Sequence, residues 1–156
     1  EPFFLESQLN LMQKTSSLLV YGSHKRIDDK NQECLTPFYV PEKVTYTDLL
    51  KTCSITCLTG LYDTSKYGKV YLNEAFKSLR DDHIYWLDIL KMAGVAYGNP
   101  QIIGSYRILG TSVSRNKKKV IIPQFKVYYE CEKLGLLKSL YYLTHWAING
   151  YFKYKK

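Results

Sequence analysis

Apolar residues recur at helical spacing in the segment 81–93. Four of them fall at i, i+1, i+4 and i+7, the pattern of a helix that buries one face: Trp86, Leu87, Leu90 and Ala93. Gly94 follows directly, at a position where a residue in the left-handed conformation commonly ends a helix. The pattern therefore predicts a helix over 81–93.

Two adjacent carboxylates, Asp81 and Asp82, open this predicted helix. Acidic side chains stabilise a helix N-terminus by accepting amide hydrogen bonds and by opposing the positive end of the helix dipole. We therefore expect Asp81 to be the N-cap and Asp82 to lie in the first turn. From this pattern alone a capping role is favoured over a catalytic one, because such caps are common.

The rest of the chain alternates between strand-like and helix-like patterns. Strands are predicted at 17–28, 53–63, 95–97 and 104–109, the last two separated by a Gly-Asn-Pro turn. Helices are predicted around Leu5, Leu9 and Met12, over 45–51 behind a Thr45–Asp48 capping pair, and from Ser114 onward in two segments that break near Gly135. The sequence predicts an α/β fold, with a mixed sheet, flanking helices and a helical C-terminal tail.

The composition is that of a globular protein. The chain has 156 residues, of which 46% are hydrophobic and 23% charged, which excludes a disordered or membrane-spanning class. It begins at Glu1, inside a predicted helix, and its predicted strands make an incomplete sheet. We therefore expect it to be a piece of a longer protein.

The four cysteines, at positions 34, 53, 57 and 131, follow no C-x-x-C pattern, and no histidine lies close to them in sequence. Structural zinc sites usually show tighter ligand pairs, so the pattern argues against one. Reduced, mostly buried thiols in a cytoplasmic protein are expected.

The positive charge is concentrated in the tail. Residues 1–114 hold 12 basic and 12 acidic residues, whereas residues 115–156 hold 10 basic residues and two glutamates. Tyrosines alternate with these lysines, a combination that suits an anionic membrane surface or a nucleic acid. The apolar run 136–152 contains Lys138 and falls short of the roughly 20 apolar residues that span a bilayer. It predicts either a helix lying in the membrane interface or a helix packed on the domain.

Three segments carry a resemblance in their order and spacing: 56-TCLTGLYD-63, 80-RDDHIYWLDILK-91 and 95-VAYGNPQIIGSYRILGTSVSRNKKK-119. Together they resemble the C-terminal half of a family 2 (GT-A type) bacterial glycosyltransferase. The likeness is to enzymes that build surface polysaccharides, such as teichuronic acid, from nucleotide sugars. It implies a partial GT-A fold, with residues 1–113 forming the acceptor-side half of the catalytic domain and residues 114–156 forming basic, tyrosine-rich C-terminal helices.

The resemblance also implies roles for individual residues. Asp82 would be the general base of an inverting transfer. Asp81, Trp86, Arg107 and Thr59 would bind substrate, with Arg107 reaching the donor diphosphate or orienting Asp82. Ordinary structural roles stay open for all four: an N-cap for Asp81, core packing for Trp86 and Thr59, and a surface ion pair for Arg107.

The implied partners are a nucleotide-sugar donor and a saccharide or lipid-linked acceptor, with an anionic membrane surface as a further partner and no nucleic acid. The parent enzyme would need Mg²⁺ or Mn²⁺, but the D-x-D ligands of the family and its nucleotide-binding strands are absent from this chain. We therefore expect no metal site in this chain and no turnover by it alone, and we expect the enzyme at the inner face of the cell membrane. A small nucleic-acid-binding module and a non-enzymatic membrane adaptor are the alternatives.

Overall fold

Strands and helices alternate along the chain in the computed structural model, which describes residues 1–76, 80–109 and 117–153. The strands are β1 (Leu19–Ile27), β2 (Glu33–Phe38), β3 (Lys43–Thr45), β4 (Leu61–Tyr62) and β5 (Val95–Arg107). The helices are α1 (Phe4–Thr15), α2 (Tyr46–Lys51), α3 (Asp81–Ala93), α4 (Lys117–Lys126) and α5 (Gly135–Lys153). A 3₁₀ turn lies at Glu74–Phe76, and a π-helical turn at Val127–Cys131 continues α4.

The described strands form one mixed sheet in the order β2-β1-β5-β3, and β4 also pairs with β1. β1 and β5 run parallel at its centre, whereas β2, β3 and β4 each pair antiparallel with one of them. Both α1 and α3 pack against the two central strands. The predicted α/β class, with a mixed sheet and flanking helices, is confirmed.

The main core lies between α3 and the central strands. Ile84, Leu87 and Leu90 of α3 pack with Leu19 and Tyr21 of β1, and each of these side chains is at most 2% exposed. Burying an apolar side chain of this size contributes roughly 1.5–3 kcal/mol. This face of α3 therefore fixes the helix, including its first turn, against the sheet.

The C-terminal segment belongs to the same core. Val127 and Tyr128 of the π-helical turn are fully buried, and the Tyr128 hydroxyl donates to the Leu50 carbonyl at 2.6 Å. On α5, the Asn149 side-chain amide donates to the Lys51 carbonyl at 3.1 Å. One side of the tail is thus packed on the domain. This agrees with one of the two predicted alternatives for the tail, a helix packed on the domain.

Local signals in the sequence account for three elements. The predicted helix over 81–93 is α3, and Gly94 behind it takes a φ of +75°. Thr45 and Asp48 form the predicted capping box, in which the Thr45 N–H donates to the Asp48 carboxylate at 3.0 Å. The tail has two helical segments that break before Gly135, although its predicted start at Ser114 lies outside the described residues.

The segment 53–63 is not the buried strand that its apolar residues predicted. Within this fully described segment, strand pairing is confined to β4. Before β4 the chain forms a turn, in which the N–H groups of Thr59 and Gly60 both donate to the Thr56 carbonyl, at 3.1 and 2.9 Å. These turn bonds satisfy the backbone locally, so it does not need a strand partner. We refer to residues 53–60 as the α2–β4 loop.

Residues 95–107 form one continuous strand, whereas the Gly-Asn-Pro sequence predicted a turn between two short strands. The proline is accommodated at an irregularity in the register with β1, where Asn99 lies opposite Gly22 and Ile102 lies opposite Ser23. Proline is tolerated in a strand at such a bulge because no ladder bond is required there. The Gln101 N–H donates to the Asn99 side chain instead, at 3.0 Å.

His83 is fully buried beneath the π-helical turn, with its ring centroid 6.5 Å from that of Tyr128. Within the described part of the chain, neither of its ring nitrogens has a hydrogen-bond partner. Burial, and after it the positive charge of Arg80, hold the pKa of His83 well below its ordinary value of 6.5. The folded protein therefore keeps His83 neutral.

The buried histidine predicts a dependence of stability on pH. Below pH 6.5 the unfolded chain protonates His83 while the folded chain does not, so the free energy of unfolding should fall by up to about 1.4 kcal/mol per pH unit as the pH drops. The free energy of unfolding, measured in urea at neutral pH and at several acidic values, checks this slope. His83→Gln should flatten it and His145→Gln, on α5, should not; equal slopes in wild type and His83→Gln would contradict the account.

Candidate functional site

The acidic pair lies at the start of α3. The helix begins at Asp81, and Arg80 occupies the N-cap position with a left-handed φ of +85° and no side-chain cap. The prediction of Asp81 as N-cap is therefore wrong by one residue. The Asp81 Oδ1 accepts the N–H of Asp82 at 3.0 Å, and the Asp82 Oδ1 accepts the N–H of His83 at 2.7 Å. Both carboxylates lie at the positive end of the helix dipole, where acidic side chains stabilise the helix.

Asp82 has one carboxylate oxygen that is not committed to the fold. Its side chain is half-buried, and among the described residues its Oδ2 accepts no hydrogen bond and its carboxylate forms no ion pair. The carboxylate is therefore not sealed in the core, and no cation in the described part of the chain neutralises it. A group held in this way can take a proton from a bound hydroxyl.

The α2–β4 loop brings Cys57 next to the acidic pair. Cys34 and Cys57 are exposed and the other two cysteines are half-buried, so the expectation of mostly buried thiols is wrong. Partial burial of the Cys57 sulfur, and after it the negative charge of Asp82, raise the pKa of this thiol. A thiol with a raised pKa is protonated at neutral pH and is a poor nucleophile. Cys57 is thus an uncharged side chain near Asp82. Sequence reasoning did not assign it a role, although it lies inside the segment that carries the family resemblance.

Trp86 lies under the α2–β4 loop, where its side chain is 4% exposed. A Cβ on Gly60 would stand 2.5 Å from two carbon atoms of the indole ring, so the loop approaches the ring as closely as glycine permits. The ring of Tyr85 meets it edge-on at 4.9 Å. The resemblance implied that Trp86 contacts a substrate directly. Its placement favours a different role, in which the ring supports the site from below.

Thr59 ties the α2–β4 loop to the sheet. It is fully buried, and its hydroxyl donates to the Gly22 carbonyl of β1 at 2.9 Å. Its own carbonyl accepts the side-chain amide of Gln8 at 2.8 Å, and Gln8 in turn accepts from Asn99 at 3.3 Å. The threonine therefore holds the α2–β4 loop in place on the sheet, and its hydroxyl is already engaged with the backbone.

Arg107 lies at the end of β5, where its exposed guanidinium binds the turn after β1. Nη1 donates to the Asp28 carbonyl at 3.0 Å, and Nη2 donates to the Asn31 side chain at 2.7 Å. The structure therefore brings Asp81, Asp82, Cys57 and Trp86 together and engages Arg107 elsewhere. The contact of Arg107 with a donor diphosphate stays a prediction.

A cavity of about 420 Å³ lies between α1 and β5, lined by polar and apolar residues that include Glu6, Asn10, Lys14, Asn99 and Gln101. None of its lining residues belongs to α3 or to the α2–β4 loop. It is therefore separate from the carboxylates of the candidate site.

The site does not fit a divalent cation. Within residues 1–76, 80–109 and 117–153, no three histidine, cysteine, aspartate or glutamate side chains are placed to share a metal ion. Metal sites of this kind need several oxygen, nitrogen or sulfur ligands converging on one point. We accordingly assign no step to a metal held by these residues.

Comparison with known proteins gives the class of protein. No family model matches the chain. It is 34% identical over 97% of its length to a glycosyltransferase of Haemophilus influenzae, and 30% identical over 94% to TuaG of Bacillus subtilis, assigned as a glycosyltransferase of teichuronic acid biosynthesis. It is also 32% identical over 94% to WfgD of Escherichia coli, a UDP-Glc:α-D-GlcNAc-diphosphoundecaprenol β-1,3-glucosyltransferase.

The predicted resemblance is thereby confirmed: the chain is a homologue of bacterial glycosyltransferases, including one of surface-polysaccharide synthesis. It spans 56–60% of the length of these relatives. The partial GT-A fold expected from the sequence fits this homology. The division at residue 113 into a catalytic half and a basic tail stays a prediction.

The close approach of Gly60 to Trp86 can be tested by substitution. Gly60→Ala should lower the free energy of unfolding by about 1–3 kcal/mol, because the new methyl group cannot fit against the ring without displacing it. Gly150→Ala is a matched control: it lies within α5 with open space around it, so alanine should be neutral or stabilise by up to about 1 kcal/mol. Urea unfolding of both variants measures the difference, and equal values would refute the packing described here.

Proposed function

We propose that this chain is the acceptor side of a glycosyltransferase that works in cell-surface polysaccharide synthesis. The enzyme moves a sugar from a nucleotide-sugar donor to a saccharide or lipid-linked acceptor, with inversion at the anomeric carbon. One observation carries the proposal: a chain homologous to glycosyltransferases holds a half-buried carboxylate, Asp82, with a free oxygen at the start of a fixed helix.

Asp82 is the general base in this proposal. Its free oxygen takes the proton of the acceptor hydroxyl as that oxygen forms a bond to the anomeric carbon. The bond between the anomeric carbon and the diphosphate breaks on the opposite face, and the nucleotide diphosphate leaves with the electron pair. The base must lie within hydrogen-bond distance of the hydroxyl throughout. A carboxylate on the first turn of a buried helix can do so with little loss of freedom.

The relatives support the kind of substrate. WfgD is named for UDP-glucose as donor and a diphosphoundecaprenol-linked sugar as acceptor. We infer the same classes for the enzyme to which this chain belongs, a nucleotide sugar and a sugar on a lipid carrier, and hence a reaction at the inner face of the cell membrane.

We assign the donor side of the reaction to the rest of the parent enzyme and not to this chain. The relatives are longer than the chain, and the described residues offer no cluster for the Mg²⁺ or Mn²⁺ that would accompany a diphosphate leaving group. We therefore propose that such an ion is held by residues of the parent enzyme beyond this chain. The 156 residues alone should show no turnover.

The role of Asp82 is tested in the enzyme extended by its upstream sequence. Asp82→Asn keeps the shape of the side chain but removes the base, so kcat should fall by about 10²–10⁴-fold with little change in donor KM. Release of nucleotide diphosphate and formation of the glycosylated product measure the rate.

Asp88→Asn is the matched control for this substitution. Asp88 lies on the same helix and pairs with the exposed Lys91 at 2.9 Å, so its loss should leave kcat within about twofold. An Asp82→Asn enzyme as fast as the wild type would remove Asp82 from the reaction.

A further inference from the structure

Helix α5 presents an apolar stripe to solvent. Leu137 is 83% exposed, and Leu140, Tyr141 and Ile148 are between 46 and 52% exposed. Because successive residues of a helix are about 100° apart, these four lie within about 100° of its circumference. Four large apolar side chains on one exposed face are more than the scattered surface leucines of an ordinary monomer.

The opposite side of α5 is fixed to the domain. Ser139 is fully buried, and Tyr142 and Leu143 pack against the main core. The bond from Asn149 to the Lys51 carbonyl holds the C-terminal part of the helix on α2. The helix therefore cannot turn its stripe inward without giving up these contacts, so in this chain the stripe faces outward.

The surroundings of the stripe are basic. α5 contains no aspartate or glutamate, and exposed lysines lie beside the stripe at Lys138 and just ahead of it at Lys133. Of the two acids in residues 115–156, Glu132 is already bound to Lys91 at 2.9 Å and to the Tyr46 hydroxyl. The other acid, the exposed Glu130, lies on the π-helical turn ahead of α5, so the charge on α5 itself is positive.

This combination favours an anionic bilayer as the partner. An apolar stripe flanked by lysines matches the acyl chains and charged headgroups of a membrane surface. A second copy of the chain would instead bring two basic tails together, which their repulsion opposes. The phosphate backbone of a nucleic acid offers no apolar counterpart to leucine and isoleucine side chains.

The helix suits the plane of the interface. No helix among the described residues is long and apolar enough to cross a bilayer. Tyr141 stands at the edge of the stripe, with its ring 4.5 Å from that of His145, where an aromatic side chain can lie at headgroup level. Such a helix buries one face by several ångströms and keeps the other on the protein.

We infer that the outer face of α5 is a membrane-docking surface, in which Leu137, Leu140, Tyr141 and Ile148 enter an anionic bilayer and Lys133 and Lys138 contact lipid phosphates. The inference rests on the proposed function for the reason that the enzyme would bind a membrane, because a lipid-linked acceptor lies at a membrane surface. Its physical basis is the stripe and its charge.

Co-sedimentation of the 156-residue chain with lipid vesicles tests the inference. The wild type should bind vesicles that mix phosphatidylglycerol with phosphatidylcholine, and bind pure phosphatidylcholine far less. Leu137→Ser combined with Ile148→Ser should weaken binding by at least about tenfold, because two exposed anchors are lost. Lys133→Gln and Lys138→Gln should each weaken it by about fivefold, and this difference should vanish at high salt.

Leu5→Ser combined with Leu9→Ser is the matched control, since these leucines are 58% and 51% exposed on α1. This variant should bind vesicles like the wild type, and circular dichroism should show that every variant keeps its helices. Vesicle binding that is absent, equal on neutral lipid, or unaffected by the α5 substitutions overturns the inference. So does a loss of self-association or of single-stranded DNA binding in the α5 variant while its vesicle binding is unchanged.

The two proposals fail separately. Loss of sugar transfer in Asp82→Asn with vesicle binding intact leaves the docking surface untouched. Normal transfer by an enzyme whose α5 does not bind vesicles removes the docking surface and keeps the proposed function.

Discussion

The burial of one face of α3 is the constraint on which the candidate site depends. Ile84, Leu87 and Leu90 lock the helix into the core, so the first turn that carries Asp82 has a fixed position relative to the sheet. The α2–β4 loop is fastened to the same sheet through the Thr59 hydroxyl on β1. Two segments that are distant in sequence therefore meet at one carboxylate. The catalytic proposal needs such a fixed position, because a base must be held within hydrogen-bond distance of its proton.

The parts of the fold that depend on local chemistry could be predicted from the sequence. Apolar spacing and Gly94 define α3, and the Thr45–Asp48 pair defines the start of α2. The loop before β4 and the uninterrupted β5 could not, because both depend on partners elsewhere in the chain. A bulge opposite β1 accommodates the proline, and a turn closed by backbone bonds replaces the expected strand.

The candidate site shows the same division. Asp82 could be singled out from its helix and from the family resemblance. Cys57 could not, because it comes within range of the charge of Asp82 only when the α2–β4 loop folds against α3. The resemblance assigned Trp86 and Thr59 to substrate binding, but both side chains are buried, which favours support of the site over direct binding. The tail likewise has two faces: one completes the core, and the other leaves an apolar stripe among lysines. Amphipathic spacing indicates a helix but does not say what covers each side.

The central claim is that the free oxygen of Asp82 receives the proton of the acceptor hydroxyl. A crystal structure of the extended enzyme with an unreactive nucleotide-sugar analogue and an acceptor tests it most directly. The account predicts that the reactive hydroxyl lies about 2.6–3.2 Å from Asp82 Oδ2, on the side of the sugar away from the diphosphate. An acceptor hydroxyl bound to a different carboxylate or histidine, with Asp82 out of reach, would contradict it.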